Sequence, residues 1–459
     1  MRESRRQFLK TCSLMSFAGA ASPFALNLAA ISAASAQSVP GYKAIVCLFF
    51  YGGNDHTNTF IPYDQPSYDQ YVASRSSLAI PRDALLAATA TGPVTSQGGR
   101  EFAFHPALAA FKTHWDAGRL AVVANAGPLV VPTTKAQYQS RSVPLPPKLF
   151  SHNDQQAVWQ AYRPIGEGAN IGWGGRIGDL LASQNTNPLY TCISAGGNSV
   201  FLSGTNVLQY QVGSSGPSSI SSISGTIYGS SGTAASTAYR SMITGASANL
   251  FESELSVVTS RSIAASQQLS GAIPAASTLM PAIPANNSFA SQLNVVARII
   301  AARTTLGSSR QVFLVSIGGF DNHDFLLTQH AQQLARVGAA VDAFYSWLVQ
   351  LNMQNDVTLF TASDFGRTLT SNGDGSDHGW GSHHFVLGGS VVGREVYGTF
   401  SPTVFGSSVD IGQGNLLPGL SVDQYAATFA RWLGVSDANM PLVLPNIVNF
   451  SPRYLSLLP

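Results

Sequence analysis

The chain has 459 residues, of which 45% are hydrophobic and only 10% are Asp, Glu, Lys or Arg. This length allows one large domain or two medium ones, and the apolar content is enough for a substantial core. The formal net charge is +2, and the basic residues form no patch or stripe, so nucleic acid and anionic lipid surfaces are not expected partners. A small anion could still bind at one place.

The first 36 residues have the organisation of an export signal. A basic segment, "SRRQFLK", begins at residue 4, and an apolar stretch behind it leads to Ala34-Ser35-Ala36. The basic segment resembles the twin-arginine type, which implies the twin-arginine translocase as a partner and a periplasmic or secreted location. We expect cleavage after Ala36, with a retained anchor as the alternative. No later segment is apolar enough for a stable membrane span.

Short apolar runs rich in Val, Ile and Phe alternate with segments of helical period along the rest of the chain. The pattern predicts strands at 43–50, 119–125, 189–195, 311–317 and 356–362. It predicts helices at 105–117, 151–162, 236–269, 287–305, 324–352 and 421–434. This alternation is typical of an α/β fold, in which helices cover both faces of a mostly parallel sheet.

Two further features concern the organisation of residues 37–459, which we expect to form a single domain. A Ser/Gly-rich excursion near 197–235 is predicted to be either a loose β segment or a flexible loop. Cys47 and Cys192 lie in apolar, strand-like runs, which favours buried thiols. One disulfide bridge between them is the alternative.

Acidic and imidazole side chains follow the predicted strands, at the edge where a parallel sheet collects functional groups. Asp55 follows the first strand, Asp321 and His323 follow the fourth, Asp364 follows the fifth, and His378 lies in a loop shortly beyond. Such ligands suit Zn, Mn or Fe, with Mg or Ca favoured where oxygen ligands dominate. We therefore predict that these five residues hold one or two divalent metal ions. The alternative is a network of hydrogen-bonded turns.

Three residues are candidates for direct catalytic roles. Ser151 stands before a predicted helix, where its hydroxyl is either a nucleophile or an N-cap with Asp154 three residues on. His152 could serve as an acid, a base or a ligand. Arg367 could hold an anion or, in the turn network, neutralise the carboxylates.

The segments "YKAIVCLFFYGGNDHTNTFIP", "FSHNDQQAVW", "VSIGGFDNH" and "SDFGRTLTSNGDGSDHGWGSHHFVLGG" resemble the domain-of-unknown-function family 1501 (DUF1501). That family is related to the alkaline phosphatase and sulfatase superfamily. The resemblance implies an alkaline-phosphatase-like three-layer α/β sandwich, with metal-binding roles for Asp55, Asp321, His323, Asp364 and His378. In two respects the sequence departs from the phosphatases. Phe365 stands where they have His, and one residue rather than three separates Asp321 from His323.

These observations lead to two alternative functions. The first is an exported, metal-dependent hydrolase of phosphate or sulfate esters, with a small anionic ester as substrate and Ser151 or a metal-bound water as nucleophile. The second is a binding or assembly protein of the cell envelope that keeps the scaffold without catalysis. Phe365 favours the second, and the concentration of acidic and imidazole groups favours the first.

Overall fold

The structure, a computed structural model, describes residues 41–85, 89–161, 168–223 and 233–459. The predicted signal at 1–36 and residues 224–232 of the Ser/Gly-rich excursion lie outside these ranges. None of the helices in the described ranges combines the length and hydropathy needed to cross a lipid bilayer.

A central sheet of nine strands dominates the described part of the chain. Its strand order is β13-β5-β12-β9-β1-β8-β6-β7, and β14 also pairs with β5. Small sheets are formed by β2, β4 and β3 and by β10 and β11. The strands are β1 (Lys43–Phe50), β2 (Phe60–Pro62), β3 (Ala90–Val94), β4 (Arg100–Phe104), β5 (Leu120–Gly127), β6 (Cys192–Ser194), β7 (Tyr210–Gln211), β8 (Arg310–Ile317), β9 (Val357–Ser363), β10 (Arg367–Ser371), β11 (Ser376–His378), β12 (Ser382–Leu387), β13 (Val396–Tyr397) and β14 (Leu420–Ser421).

The central sheet is mostly parallel. β1 lies between β8 and β9 and is parallel to both, so that Cys47 pairs with Leu314 on one side and with Phe360 on the other. β12 is the exception, because it runs antiparallel to β5 and β9. The carboxyl ends of β1, β5, β8 and β9 therefore meet at one edge of the sheet.

Helices cover both faces of this sheet, as the sequence predicts. The α-helices are α1 (His56–Thr59), α2 (Gln65–Arg75), α3 (Ala109–Asp116), α4 (Lys135–Ser140), α5 (His152–Ala161), α6 (Trp173–Leu181), α7 (Thr233–Thr244), α8 (Leu250–Ala272), α9 (Ser288–Ala301), α10 (Arg303–Leu306), α11 (Leu326–Gln350), α12 (Val422–Leu433) and α13 (Met440–Val443). Two cores result: one side of β1 packs with α9 and α11, and the other side packs with α6 and α12. The predicted three-layer α/β sandwich is confirmed.

β1 shows why the sequence forms this architecture. Seven of its eight residues are buried, and alternate side chains enter opposite cores: Val46 and Leu48 enter one, and Ile45 and Cys47 enter the other. A continuous apolar run is therefore needed, as expected for a parallel strand covered on both faces. Cys47 and Cys192 are free buried thiols, not a disulfide, and burial raises the pKa of both.

Two predicted elements differ most from the structure. The predicted strand at 189–195 is reduced to β6, because Pro188–Tyr190 form a 3-10 turn instead. The predicted helix at 236–269 is two helices, α7 and α8. The second begins where the Asn249 side chain accepts hydrogen bonds from the backbone N–H groups of Phe251 and Glu252, a strong helix-start signal.

Candidate metal centre

Imidazoles and a carboxylate from separate segments converge at the carboxyl edge of the sheet. Asp321, in the loop after β8, lies between His152 and His378: Oδ2 is 3.3 Å from His152 Nε2, and Oδ1 is 3.4 Å from His378 Nε2. One ligand atom from each of the three lies within 4.8 Å of the other two. His323 Nε2 adjoins them, at 3.1 Å from Asp321 Oδ1 and 3.0 Å from His378 Nε2. The structure thus brings together Asp321, His323 and His378 with His152.

The contacts of the outer ring nitrogens orient His323 and His378. His378 Nδ1 lies 2.7 Å from the carbonyl oxygen of Phe150, which can only accept, so Nδ1 carries the proton and Nε2 is left with a lone pair. His323 Nδ1 lies 3.3 Å from Asp377 Oδ1, and a carboxylate there likewise favours a proton on Nδ1. Two lone pairs and Asp321 Oδ1 therefore point into one small volume. Such an arrangement is repulsive unless a cation or a proton lies among them.

Asp364, at the end of β9, contacts this cluster through His152. Its Oδ2 accepts hydrogen bonds from Gln156 Nε2 at 2.8 Å and from the backbone N–H of Gly52 at 3.2 Å, and it lies 2.6 Å from His152 Nδ1. The bond to Asp364 raises the pKa of His152 above its ordinary value, although burial opposes the change. Asp364 Oδ1 is buried and has no hydrogen-bond partner among the described residues. An unpaired buried carboxylate oxygen is energetically unfavourable. Asp364 Oδ1, together with the imidazole and carboxylate atoms of the cluster, therefore fits a divalent cation.

Arg367 is buried beside the cluster, and its guanidinium is occupied by protein oxygens. Nε donates to Gly53 O at 3.0 Å, Nη1 to Ser376 O at 2.5 Å, and Nη2 to Gly52 O at 2.7 Å and to Asp321 Oδ1. Burial alone would raise the pKa of Asp321, but the bond and charge of Arg367 lower it below its usual range. Arg367 thus positions Asp321 and the loop after β1. Binding an anion, the role expected from the sequence, would require it to release these partners.

Asp55 is placed outside the cluster. Its carboxylate is buried, forms an ion pair with Arg75 of α2, and accepts a hydrogen bond at 2.8 Å from Thr57 Oγ1. Arg75 also donates to Thr368 O at 2.7 Å, which ties α2 to β10. The charge of Asp55 is therefore neutralised by a protein cation, and the structure gives it a structural contact rather than a place among the converging ligand atoms.

Ser151 immediately precedes α5, as expected for a residue at a helix start. Its hydroxyl donates to Asp154 Oδ2 at 2.8 Å, and its carbonyl accepts from the backbone N–H of Gln155 at 2.9 Å. The hydroxyl is thus engaged with the first turn of the helix. The next residue, His152, is the one that reaches the ligand cluster.

Phe365 forms the floor of the site. The ring is buried, and its centroid lies 4.8 Å from that of His152 and 4.6 Å from that of His378. The ring fits only because the loop after β1 has a glycine at position 53. A Cβ on Gly53 would lie 2.5 Å from the Phe365 ring. Where the resemblance implies an imidazole, an aromatic ring therefore packs beneath two imidazoles and fixes their positions without offering a ligand.

Three contributors escape sequence reasoning: Gln156, Asp377 and the carbonyl of Phe150. Phe150 has φ +73°, a left-handed conformation that is strained for a bulky residue, and its carbonyl is the group that orients His378. A backbone carbonyl leaves no signal in the sequence. The adjacent His383 and His384 are buried away from the cluster: Nδ1 of His383 accepts from the backbone N–H of Asn125 at 3.0 Å, and His384 packs on Trp159.

Comparison with solved structures finds proteins with low sequence identity. The chain is similar to the lipoteichoic acid synthase LtaP from Listeria monocytogenes, with 9% identity, 92% of this chain and 81% of that chain covered, and a TM-score of 0.37. It is also similar to the C-terminal periplasmic domain of EcEptC from Escherichia coli, with 9% identity, coverage of 90% and 88%, and a TM-score of 0.36. A third is Ps i-CgsB in complex with k-i-k-neocarrahexaose, with 12% identity, coverage of 88% and 74%, and a TM-score of 0.36.

Comparison at the level of sequence is more definite. No curated protein matches the chain. The family model described as "Protein of unknown function (DUF1501)" matches residues 42–440, a range that contains every strand of the central sheet and every residue of the candidate metal centre. The resemblance found in the sequence motifs is thereby confirmed, and the chain belongs to the DUF1501 family.

Proposed function

We propose that the protein is an exported, metal-dependent hydrolase of phosphate or sulfate esters. The observation that carries the proposal is the convergence of His323 Nε2, His378 Nε2 and Asp321 Oδ1, which lie 3.0 to 3.4 Å apart with their lone pairs directed toward one another. The resemblance to a family related to phosphatases and sulfatases supports the ester class. The small anionic substrate, the periplasmic or secreted location and the twin-arginine route are parts of the same proposal.

In this proposal Asp321, His323 and His378 hold the ion. Their mixed imidazole and carboxylate set suits Zn, Mn or Fe better than Mg or Ca, which prefer all-oxygen sites. A bound divalent ion would polarise the ester and offset its negative charge. Asp364 supports the site through His152, and its unpaired Oδ1 is available to a second ion.

His152 is the proposed general acid. Its Nδ1 is fixed on Asp364, which leaves Nε2 facing the cluster, and its pKa is raised by that bond. A proton held at Nε2 would pass to the leaving oxygen of the ester. We propose water rather than Ser151 as the nucleophile, because the Ser151 hydroxyl donates to Asp154. Arg367 keeps Asp321 ionised and in place.

Elemental analysis of the protein purified from the exported fraction tests this proposal. We expect about one equivalent or more of a divalent metal in the unmodified protein, and its loss in Asp321→Ala and in His378→Ala, because each removes a converging ligand. Asp324→Asn is the matched control, since this exposed acid lies on the same loop outside the cluster. The loaded protein should then hydrolyse phosphate or sulfate esters, and Asp321→Ala should not.

The outcomes separate the two functions. Absence of bound metal after supply of Zn, Mn, Fe, Mg and Ca would contradict the hydrolase. Metal that depends on Asp321 and His378, without turnover on any ester offered, would favour the binding or assembly protein. Two observations already favour that second candidate: Phe365 offers no ligand, and Arg367 is occupied by backbone carbonyls.

A further inference from the structure

The first half of α8 carries a group of exposed apolar side chains. Leu250, Phe251 and Leu255 are 80%, 83% and 65% exposed, and Val257 and Val258 are 39% and 48% exposed. The residues that this helix buries, such as Ile263 and Leu269, all lie in its second half. The first half therefore extends past the core. Contiguous exposed apolar surface of this kind is typical of an interaction site.

Three of these residues form one stripe. Phe251, Leu255 and Val258 stand at intervals of four and three, which places them on the same face of a helix. The same spacing forms the apolar seam through which two helices pack as a coiled coil. Ser262, the next residue along the seam, is also exposed, and beyond it the seam runs into the protein's own core at Ala265. The free part of the stripe is thus about three turns long.

Two charges flank the stripe on one edge. Glu254 and Arg261 are seven residues apart, so they lie on the same side of the seam, two turns from each other. Both are exposed, and neither forms an ion pair with another residue in the described part of the chain. One acid and one base thus occupy equivalent positions beside the seam.

We infer that this stripe docks on the same stripe of a second copy, in an antiparallel helix pair. With a two-fold axis between Leu255 and Val258, Leu255 meets Val258 of the second copy, and Phe251 lies level with the second copy's Ser262. Glu254 then lies within about 3 Å, measured along the axis, of the second copy's Arg261, and symmetry repeats the pair. A parallel pair would instead leave these charges about 10 Å apart along the axis.

The charges and the area also bear on other occupants. Glu252 and Glu254 beside the stripe disfavour an anionic lipid surface, which attracts Lys and Arg. The three seam residues Phe251, Leu255 and Val258 offer on the order of 350 Å² per copy, so a two-fold pair would bury about 700 Å² of their surface, less than the ~1,000 Å² of a specific, stable interface. We therefore expect a weak dimer that dissociates on dilution.

Sedimentation equilibrium of the mature protein over a range of concentrations tests the inference. We expect a reversible dimer, and Phe251→Ser or Leu255→Ser should raise its dissociation constant at least tenfold, because each removes an apolar seam residue. The matched control is Leu208→Ser: Leu208 is 73% exposed but lies outside α8. This change should leave dimerisation unaltered. Unchanged circular dichroism would show that each variant is folded.

A charge exchange tests the antiparallel arrangement itself. Glu254→Arg and Arg261→Glu should each weaken the dimer about tenfold, since two attractive pairs become repulsive, and the double variant should restore it. A monomer at all concentrations would overturn the inference, as would a monomer that binds phosphatidylglycerol vesicles through this stripe. A dimer whose dissociation constant is unchanged by Phe251→Ser and Leu255→Ser would also overturn it. If the double charge variant dimerises no more tightly than the single variants, the antiparallel pairing is wrong.

Discussion

Gly52→Ala is expected to destabilise the protein by roughly 3–5 kcal/mol and to disrupt the candidate metal centre. Gly52 has φ +116°, which an L side chain rarely adopts, and a Cβ there would lie 2.4 Å from the backbone nitrogen of Asp321. The backbone of Gly52 cannot shift easily, because Gly52 N donates to Asp364 and Gly52 O accepts from Arg367. The new methyl group would therefore push the Asp321 loop away from His152.

Gly197→Ala is the matched control for this prediction. Gly197 has φ +91°, and nothing lies within 4 Å of the position its Cβ would take, so the change should cost only the conformational strain of about 1–2 kcal/mol. Urea unfolding of both variants measures the difference, and metal content reports on the site. Equal losses of stability in the two variants would show that the close approach of Gly52 to Asp321 does not matter.

Acid is expected to unfold the protein over a narrow range of pH, because several buried histidines are neutral. Burial lowers the pKa of His56, His330 and His384 to about 3 and that of His105 and His114 to about 4. Between pH 6.5 and 4 the unfolded chain therefore binds more protons than the folded one, so stability is fully present above pH 6.5 and falls as the pH falls. Each such group contributes up to ~1.4 kcal/mol per pH unit.

The expected loss is at least ~3 kcal/mol between pH 6 and pH 5, a large part of the ~5–15 kcal/mol that holds a typical domain folded. Thermal unfolding at pH 7.5, 6, 5 and 4.5, followed by circular dichroism, measures it. In His384→Gln the dependence of stability on pH should become shallower by about one proton, whatever the change in stability itself. A midpoint temperature that stays constant from pH 7.5 to 5 would contradict the prediction.

The strands of the sheet could be predicted from the sequence where burial on both faces requires a continuous apolar run. β1 and β8 were predicted at 43–50 and 311–317 and occupy Lys43–Phe50 and Arg310–Ile317, because parallel strands covered on both faces must be continuously apolar. β12 was not predicted as a strand. Its sequence begins Ser382-His383-His384, and only the buried environment between β5 and β9 makes these polar residues part of the sheet.

The candidate site was predictable only in part, for a similar reason. Asp321 and His323 could be chosen because residues that follow parallel strands meet at one edge, and His378 because its Gly- and Asp-rich segment can fold toward that edge. The pairing of Asp55 with Arg75 could not be foreseen, since it depends on how α2 folds back across β10. The same holds for His378, whose orientation depends on the backbone of Phe150.

The central place of β1 determines when the newly made protein can fold. β1 is among the earliest segments of the described chain to leave the ribosome, yet the loop after it bonds to Ser363, 309 residues later. At roughly 5–20 residues per second, synthesis of that stretch takes about 15–60 s, and for most of this time neither of the two strands that pair with β1 has been made. Until then, the exposed apolar surface of β1 makes the unfinished chain prone to aggregation. His378 emerges later still, so the cluster of Asp321, His323 and His378 can assemble only on a nearly finished chain.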